Sequence, residues 1–390
     1  MHVLMIPSWY PTPNNPLHGS FFRDQVQALQ KAGLQLGVIF PHFNAPRLLL
    51  NPFAWHKIGL RQENDAGVPT YRHSVYRWSD DLRSLSENWL SKGEELFAHY
   101  LKKEGRPDLI LANAAHRAGL LAHRISKKHN IPFVIHEHQA HYVREPRPQW
   151  VKDQLKEAFS AASRRLVVSE KYGEILEEIF GESFAPWTFV PNAIGQSFLS
   201  RSLPAVAEPA RAARLLSIGN LIEHKGQDYL LRAFIKCAKE HKDWTLTFLG
   251  DGPLRPSLEE MAQAAGLSDR VIFRGNVGRE KVIKEIDECT FYVHGSPFET
   301  FGVVLAEALA RGKPVVSTAC CGPESIVTEN DGLLVPVGDE EAMVKAMEKM
   351  AEGHSSYSKE ELRERAVARF GPEQVAAQLI KVFQSVLSPR

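Results

Sequence analysis

The chain has 390 residues, 44% of them hydrophobic and 24% charged, with a formal net charge of +1. That length exceeds what one hydrophobic core fills, so two domains are expected, and the even charge excludes the basic surplus of a nucleic-acid binder. The opening MHVLMIPSWY lacks the regions of a secretory signal, no run reaches the length of a membrane span, and Cys237, Cys289, Cys320 and Cys321 lack zinc-site spacing, which together point to a reduced, cytoplasmic protein.

In chain order, HVLMIP, LQLGVIFP, PDLILANA, IPFVIHEH and RRLVVSE read as short buried strands, with helices such as FFRDQVQALQKAG and AGLLAHRISKKHN between them. NAPRLLLNPFAWHKIGLRQEN breaks the alternation and is expected to be an insertion or long loop. Its leucines, aromatics and basic residues suit either a membrane surface or packing over its own domain. Around 193–212, SRSLPAVAEPAR has the bias of a linker. Beyond it, ARLLSIGN, TLTFLGDG, RVIFRGNV, TFYVHGSP, KPVVST and GLLVPVG alternate with helical stretches to about residue 355, and EQVAAQLIKVFQSVL is an amphipathic helix near the end.

Buried strands alternating with amphipathic helices mean parallel sheets covered on both faces. The fold class is α/β, with two Rossmann-like doubly wound domains at 1–200 and 201–370, and residues 371–390 forming a helix that packs back towards the first. In such sheets ligands lie beyond the carboxyl ends of the strands, so a cleft between the domains is the expected site.

SPFETFGVVLAEALARGKPVVST, residues 296–318, carries two carboxylates around a short apolar run. A bland reading explains both: Glu299 favours the positive end of a helix dipole, and Glu307 precedes Arg311 by four residues in the favourable acid-then-base order. The sharper reading starts from position. Glu299 follows a strand, Gly302 allows close backbone approach at a helix start, and helix-end amides can hold an anion. Carboxylates accept paired hydroxyls, so a polyhydroxylated ligand with an anionic middle, such as a nucleotide sugar, suits the layout.

ETFGVVLAE resembles the E-x7-E motif of retaining glycosyltransferases of the GT-B fold, family four. The resemblance continues in order through SIGNLIEHKGQDYLLRA, FLGDGPLRPSLEEMAQAAGLSDRVIFRGNV, GPESIV and DGLLVPVGD, and more loosely through HGSFFRDQVQALQKAG, IPFVIHEH and VPNAI. It implies that Glu299 binds hydroxyls of the transferred sugar and Glu307 the ribose hydroxyls, with backbone contacts from Phe301, Gly302 and Val303. Lys225 would neutralise the departing diphosphate; its bland alternative is a solvated surface lysine. Gly19 would let amides approach phosphates or acceptor, Gly275 and Val277 would border the base, and His138 would sit near the reacting face of the sugar.

Two departures stand out. Asn220 occupies the place where the family has an arginine, leaving Arg23 or Arg255 as candidate substitutes, and Gly195 stands where an aspartate is common. The implied activity is transfer of a sugar, with retention and without a metal or cofactor, from a UDP- or GDP-sugar to a glycan or lipid-linked acceptor. The setting would be cell-surface polysaccharide or glycolipid synthesis, with peripheral contact at the inner membrane face. The alternatives are a nucleotide-sugar epimerase, a metal-dependent hydrolase using His136, His138 and His141, and a degenerate binding protein.

Overall fold

The computed structural model describes residues 1–12, 15–44, 59–76, 80–145, 147–181, 184, 186–203 and 212–388. Residues 45–58 of the expected insertion and 204–211 of the expected linker lie outside them. The chain divides into two units, Met1–Pro191 with Pro372–Arg390, and Asn192–Gly371. The join falls ahead of the 200/201 boundary read from sequence. The chain already folds with unit 2 at its start: Ile194 N donates to Phe370 O at 2.8 Å, and Phe198 of the short helix Gln196–Leu199 is buried. The terminal helix Pro372–Leu387 belongs to unit 1, where it packs on the helix Ser20–Lys31.

Unit 1 holds β1 (His2–Pro7), β2 (Gln35–Asn44), β3 (Leu60–Asp65), β4 (Val68–Tyr76), β5 (Leu109–Asn113), β6 (Phe133–Glu137), β7 (Arg164–Val167) and β8 (Thr188–Phe189). They form one sheet in the order β3-β4-β2-β1-β5-β6-β7-β8. All pairs are parallel except β3 with β4. Strands β1, β5 and β6 are buried along their whole length, as strands covered on both faces must be. β3 falls at the end of the segment expected as an insertion or long loop. Its residues, LRQEND, are mostly polar and alternate between exposed and half-buried, so this edge strand carries none of the apolar alternation that marks a strand.

Unit 2 holds β9 (Arg214–Ile218), β10 (Thr245–Leu249), β11 (Val271–Phe273), β12 (Phe291–His294), β13 (Val315–Thr318) and β14 (Gly332–Val335). All are parallel, in the order β11-β10-β9-β12-β13-β14. Leu215, Leu246, Phe248, Phe291, Val293 and Val316 from the strands close a core with Leu230, Leu231, Phe234, Met343 and Met347 from the helices. Both sheets are doubly wound, and each reverses direction once: between β1 and β5 in unit 1, between β9 and β12 in unit 2. At such a reversal the loops leave on opposite faces and open a crevice. Among the described residues, no helix is long and apolar enough to cross a membrane.

Arg311 ends the helix that carries Glu307, but it does not serve that glutamate. It is 1% exposed and pairs in fork geometry with Asp287, at 2.8 and 2.9 Å. Its remaining donors go to the carbonyls of Phe198, Arg201 and Ser202. The i,i+4 pairing that would make Glu307 merely structural is therefore not made. Replacing one partner of a buried, fully bonded pair leaves the rest stranded, so Arg311→Ala should lower stability by about 3–5 kcal/mol, read as a fall in the urea midpoint.

Candidate functional site

The crevice of unit 2 is built by main chain meeting main chain. Gly226 has φ 64 and caps the helix Gln227–Glu240; a Cβ there would lie 2.0 Å from the carbonyl oxygen of Gly295. The loop after β9 thus rests directly on the loop after β12. A second join ties the loop after β12 to the one after β13: Glu299 N donates to Cys320 O at 3.1 Å and Gly322 N donates to Glu299 O at 2.7 Å. Thr318 Oγ1 donates to Ser296 O at 2.6 Å beside it.

These joins place Lys225 and Glu299 across the switch point. Lys225 ends a single 3-10 turn, Glu223–Lys225, just ahead of the helix rather than inside it. Its Nζ lies 2.5 Å from Glu299 Oε2, with the two side chains 27% and 17% exposed. The solvated-lysine reading fails on that contact. His294, at the end of β12, stands behind the pair with Nε2 4.0 Å from Glu299 Oε2. Burial pushes its imidazole down to about 4, against the pull of Glu299. Sequence reading passed over His294, although a histidine closing an otherwise apolar strand was a signal.

The other expected donor residues gather on the same edge. Gly302, with φ 91, caps the helix Val303–Ala310, which begins at Val303. Phe301 is buried edge-on to Phe370 at 5.7 Å, so its side chain is core and only its main chain faces the loop. Glu307 lies on the same helix and is 8% exposed. Asn220 is exposed after β9, its carbonyl accepting from Gln227 Nε2 at 2.9 Å. Gly275 bridges Gly250 beyond β11, with Val277 half-buried after it. Arg255 reaches Gly275 but is held by Asp251 at 3.3 Å and Glu259 at 2.8 Å.

Gly19, His138 and Arg23 belong to unit 1. Gly19 has φ 76 and caps the helix Ser20–Lys31, against Trp9. Phe22 from that helix meets the His138 ring edge-on at 4.8 Å. Arg23 is bound to Asp65 at 2.8 Å. The residue that fixes the His138 loop is Glu137, another that sequence reading missed. Its Oε1 accepts from the amides of His138 and Gln139, both at 2.8 Å, and its Oε2 from Ala115 N at 2.7 Å and Tyr142 Oη at 3.2 Å. Burial nevertheless raises this carboxyl to about 7.

The three histidines proposed as metal ligands diverge. His136 Nε2 bonds Val190 O at 2.8 Å and its Nδ1 faces Gln25 Nε2 at 3.4 Å. His138 lies beside it, with ring centroids 4.2 Å apart and the planes tilted by 50°, while His141 turns to His116 instead. Among the described residues, no group of three or more His, Cys, Asp or Glu side chains is placed to hold a metal, so the hydrolase alternative finds no ligand set.

The sequence matches two families: Glycosyl transferase 4-like domain over residues 18–193 and Glycosyl transferases group 1 over residues 202–369. It is 27% identical over 369 residues to the putative teichuronic acid biosynthesis glycosyltransferase TuaC of Bacillus subtilis, covering 89% of this chain and 88% of that one. It is 29% identical over 234 residues to the exopolysaccharide phosphotransferase SCO2592 of Streptomyces coelicolor, covering 58% of this chain but only 24% of that protein. Sucrose-phosphate synthase from Thermosynechococcus elongatus superposes with a TM-score of 0.77 at 21% identity, over 99% of this chain and 98% of that one. Anabaena HepE in complex with UDP does so with a TM-score of 0.73 at 18% identity, over 99% and 100%.

Two outcomes follow for the site. Gly226→Ala forces Cβ into Gly295 O and should cost about 1–3 kcal/mol while pulling Lys225 away from Glu299, seen as a lower melting temperature and lost ligand binding. The second is a pH dependence. His116 and His141 are depressed to about 3, His136 and His294 to about 4, each chiefly by burial. Below the ordinary imidazole value the unfolded chain takes up more protons at these four, so they should make stability rise from about pH 4 to 6.5. Glu137 opposes this over about pH 4.5 to 7, where the folded chain keeps its proton. Urea titrations across that range should show the net rise, and His294→Gln should flatten it.

Proposed function

This chain is a glycosyltransferase of the GT-B fold, pairing a glycosyl transferase 4-like domain with one of group 1, and from that premise we propose that it moves a hexosyl group from a nucleoside-diphosphate sugar to an acceptor hydroxyl, with retention at the anomeric carbon and without a metal ion. The observation that carries the proposal is the Lys225–Glu299 pair at the switch point of unit 2. It puts a cation and a hydroxyl acceptor side by side where α/β sheets take their ligands.

Lys225 and Glu299 satisfy each other directly. A bound donor separates their roles. Lys225 turns to the diphosphate, whose charge grows as the bond to the anomeric carbon breaks, and preorganised donors aimed at such charge are the largest catalytic contribution in many enzymes. The carboxylate of Glu299 then accepts hydroxyls of the sugar, and Glu307 those of the ribose. The amides at the Gly302 end of the helix add main-chain contacts, with Val277 and the Gly275 turn bordering the base. His138 in unit 1, held by the Glu137 strap, faces the acceptor side. Asn220 keeps a hydrogen-bond donor but no charge, so Lys225 carries more of the leaving-group stabilisation here. The donor is a UDP- or GDP-sugar; the UDP complex of HepE favours the first. The acceptor is a glycan or lipid-linked glycan of an envelope polysaccharide, in keeping with TuaC, and is met by peripheral contact with a membrane.

Glu299→Gln and Lys225→Ala should each lower transfer by orders of magnitude, about 10²–10³ for loss of one such contact. Their stability should change by under about 1 kcal/mol, because the pair is partly exposed. Product analysis with UDP- and GDP-sugars reads the first and urea titration the second. A chelator should leave the rate unchanged; wild-type turnover in either variant would remove the assigned roles.

A further inference from the structure

Unit 1 has a crevice of its own where its strand order reverses between β1 and β5, and what gathers there is imidazole and guanidinium. In the loop after β5, Ala114 and Arg117 both have φ 73, and the main chain between them is clamped. Ser8 Oγ donates to His116 O at 2.6 Å and accepts from Ala118 N at 3.2 Å; Tyr142 Oη accepts from His116 N at 3.2 Å. The clamp turns the His116 side chain inward. It is 6% exposed, and its Nε2 is buried with no hydrogen-bond partner.

The loop after β6 supplies the second imidazole. His141 stands edge-on to His116, centroids 5.6 Å apart, and its Nε2 is likewise buried and without a partner. Arg147 follows on the same loop. It pairs with the exposed Glu145 at 3.1 Å, yet its Nε is buried and unbonded. Arg117, lying over the Phe43 ring at 4.7 Å, adds a second guanidinium, and Arg117 and Arg147 join burial in holding both imidazoles neutral. Glu137 is the carboxylate at hand, but its oxygens are taken by three amides and Tyr142.

Three nitrogens from two loops are thus out of water with no acceptor, beside two positive charges, at a position where such sheets bind ligands. With its proton on Nε2 each imidazole is a donor. A tetrahedral group with several anionic oxygens supplies the missing acceptors, and guanidinium forks fit that geometry. We propose that this crevice, built from His116, Arg117, His141 and Arg147, binds a phosphoryl group on the acceptor. The proposal rests on the transferase reading, with unit 1 taking the acceptor.

The test is calorimetric titration of the full chain with inorganic phosphate, glucose 1-phosphate and geranyl phosphate. Wild type should bind inorganic phosphate in the millimolar range or tighter, and Arg147→Gln and His141→Gln should each weaken it about tenfold or more. Lys284→Gln, at an exposed position of unit 2 outside both sites, should leave it unchanged. Arg147, whose side chain keeps 19% of its exposure, serves as the variant, with an unaltered melting temperature as the check on folding. Tighter binding of geranyl phosphate assigns a lipid-linked acceptor, and tighter binding of glucose 1-phosphate a soluble one. Heat that is absent, equal in Arg147→Gln, or lost in Lys284→Gln as well overturns the anion site. If the site fails while UDP still binds through Lys225, the transferase reading stands alone. If phosphate binds here but no nucleotide binds at Lys225, the anion site survives and the transferase reading does not.

Discussion

Lys225 and Glu299 meet because the loops on either side of the unit 2 switch point touch through their main chains. No side chain fits between Gly226 and Gly295, and Glu299 is stitched at both its N–H and its C=O to the loop after β13. The contact is set by backbone packing rather than by flexible side chains, so the two charged ends approach to 2.5 Å without a long search through rotamers. Widening any of these joins would move the charges apart and leave the sheet otherwise intact.

The electrostatics follow from that approach. A lone ammonium or carboxylate in a half-buried crevice loses hydration without return; in a mutual pair the attraction offsets that loss. The pair is also interruptible, because both members keep some exposure. A diphosphate offers the lysine more charge than one carboxylate does, and sugar hydroxyls offer the glutamate donors in return. His294 lies behind Glu299 with a buried nitrogen and no hydrogen-bond partner, giving the carboxylate a neutral, preset neighbour. Arg255 reaches the Gly275 turn but is engaged by two carboxylates, so it is not a ready replacement for the charge that Asn220 lacks. Arg23 is engaged by Asp65 within unit 1.

Much of this was legible in the residues. Apolar runs such as LILAN and FVIHE, buried at every position, can only be strands covered on both faces, and their alternation with helices gave the doubly wound class. The E-x7-E stretch was legible because a carboxylate, a glycine and a helix start fall in one short window. What escaped reading lacked local signal. Strand β3 is polar because it is an edge. The unit boundary was displaced because a proline- and alanine-rich stretch begins with residues that unit 2 already binds. Glu137 reads as a polar residue at a strand end; only the fold reveals that it gathers three amides and a hydroxyl from two loops. The divergence of His136 and His141 likewise depends on contacts with Val190 and His116, far apart in sequence.

The central claim is that a nucleoside-diphosphate sugar replaces the Lys225–Glu299 contact with itself. A crystal structure of the chain with a UDP-sugar tests it most directly. The account predicts the diphosphate against Lys225, sugar hydroxyls on Glu299, and the two side chains no longer bonded to each other. A structure in which the sugar nucleotide lodges elsewhere while the pair stays closed would contradict it.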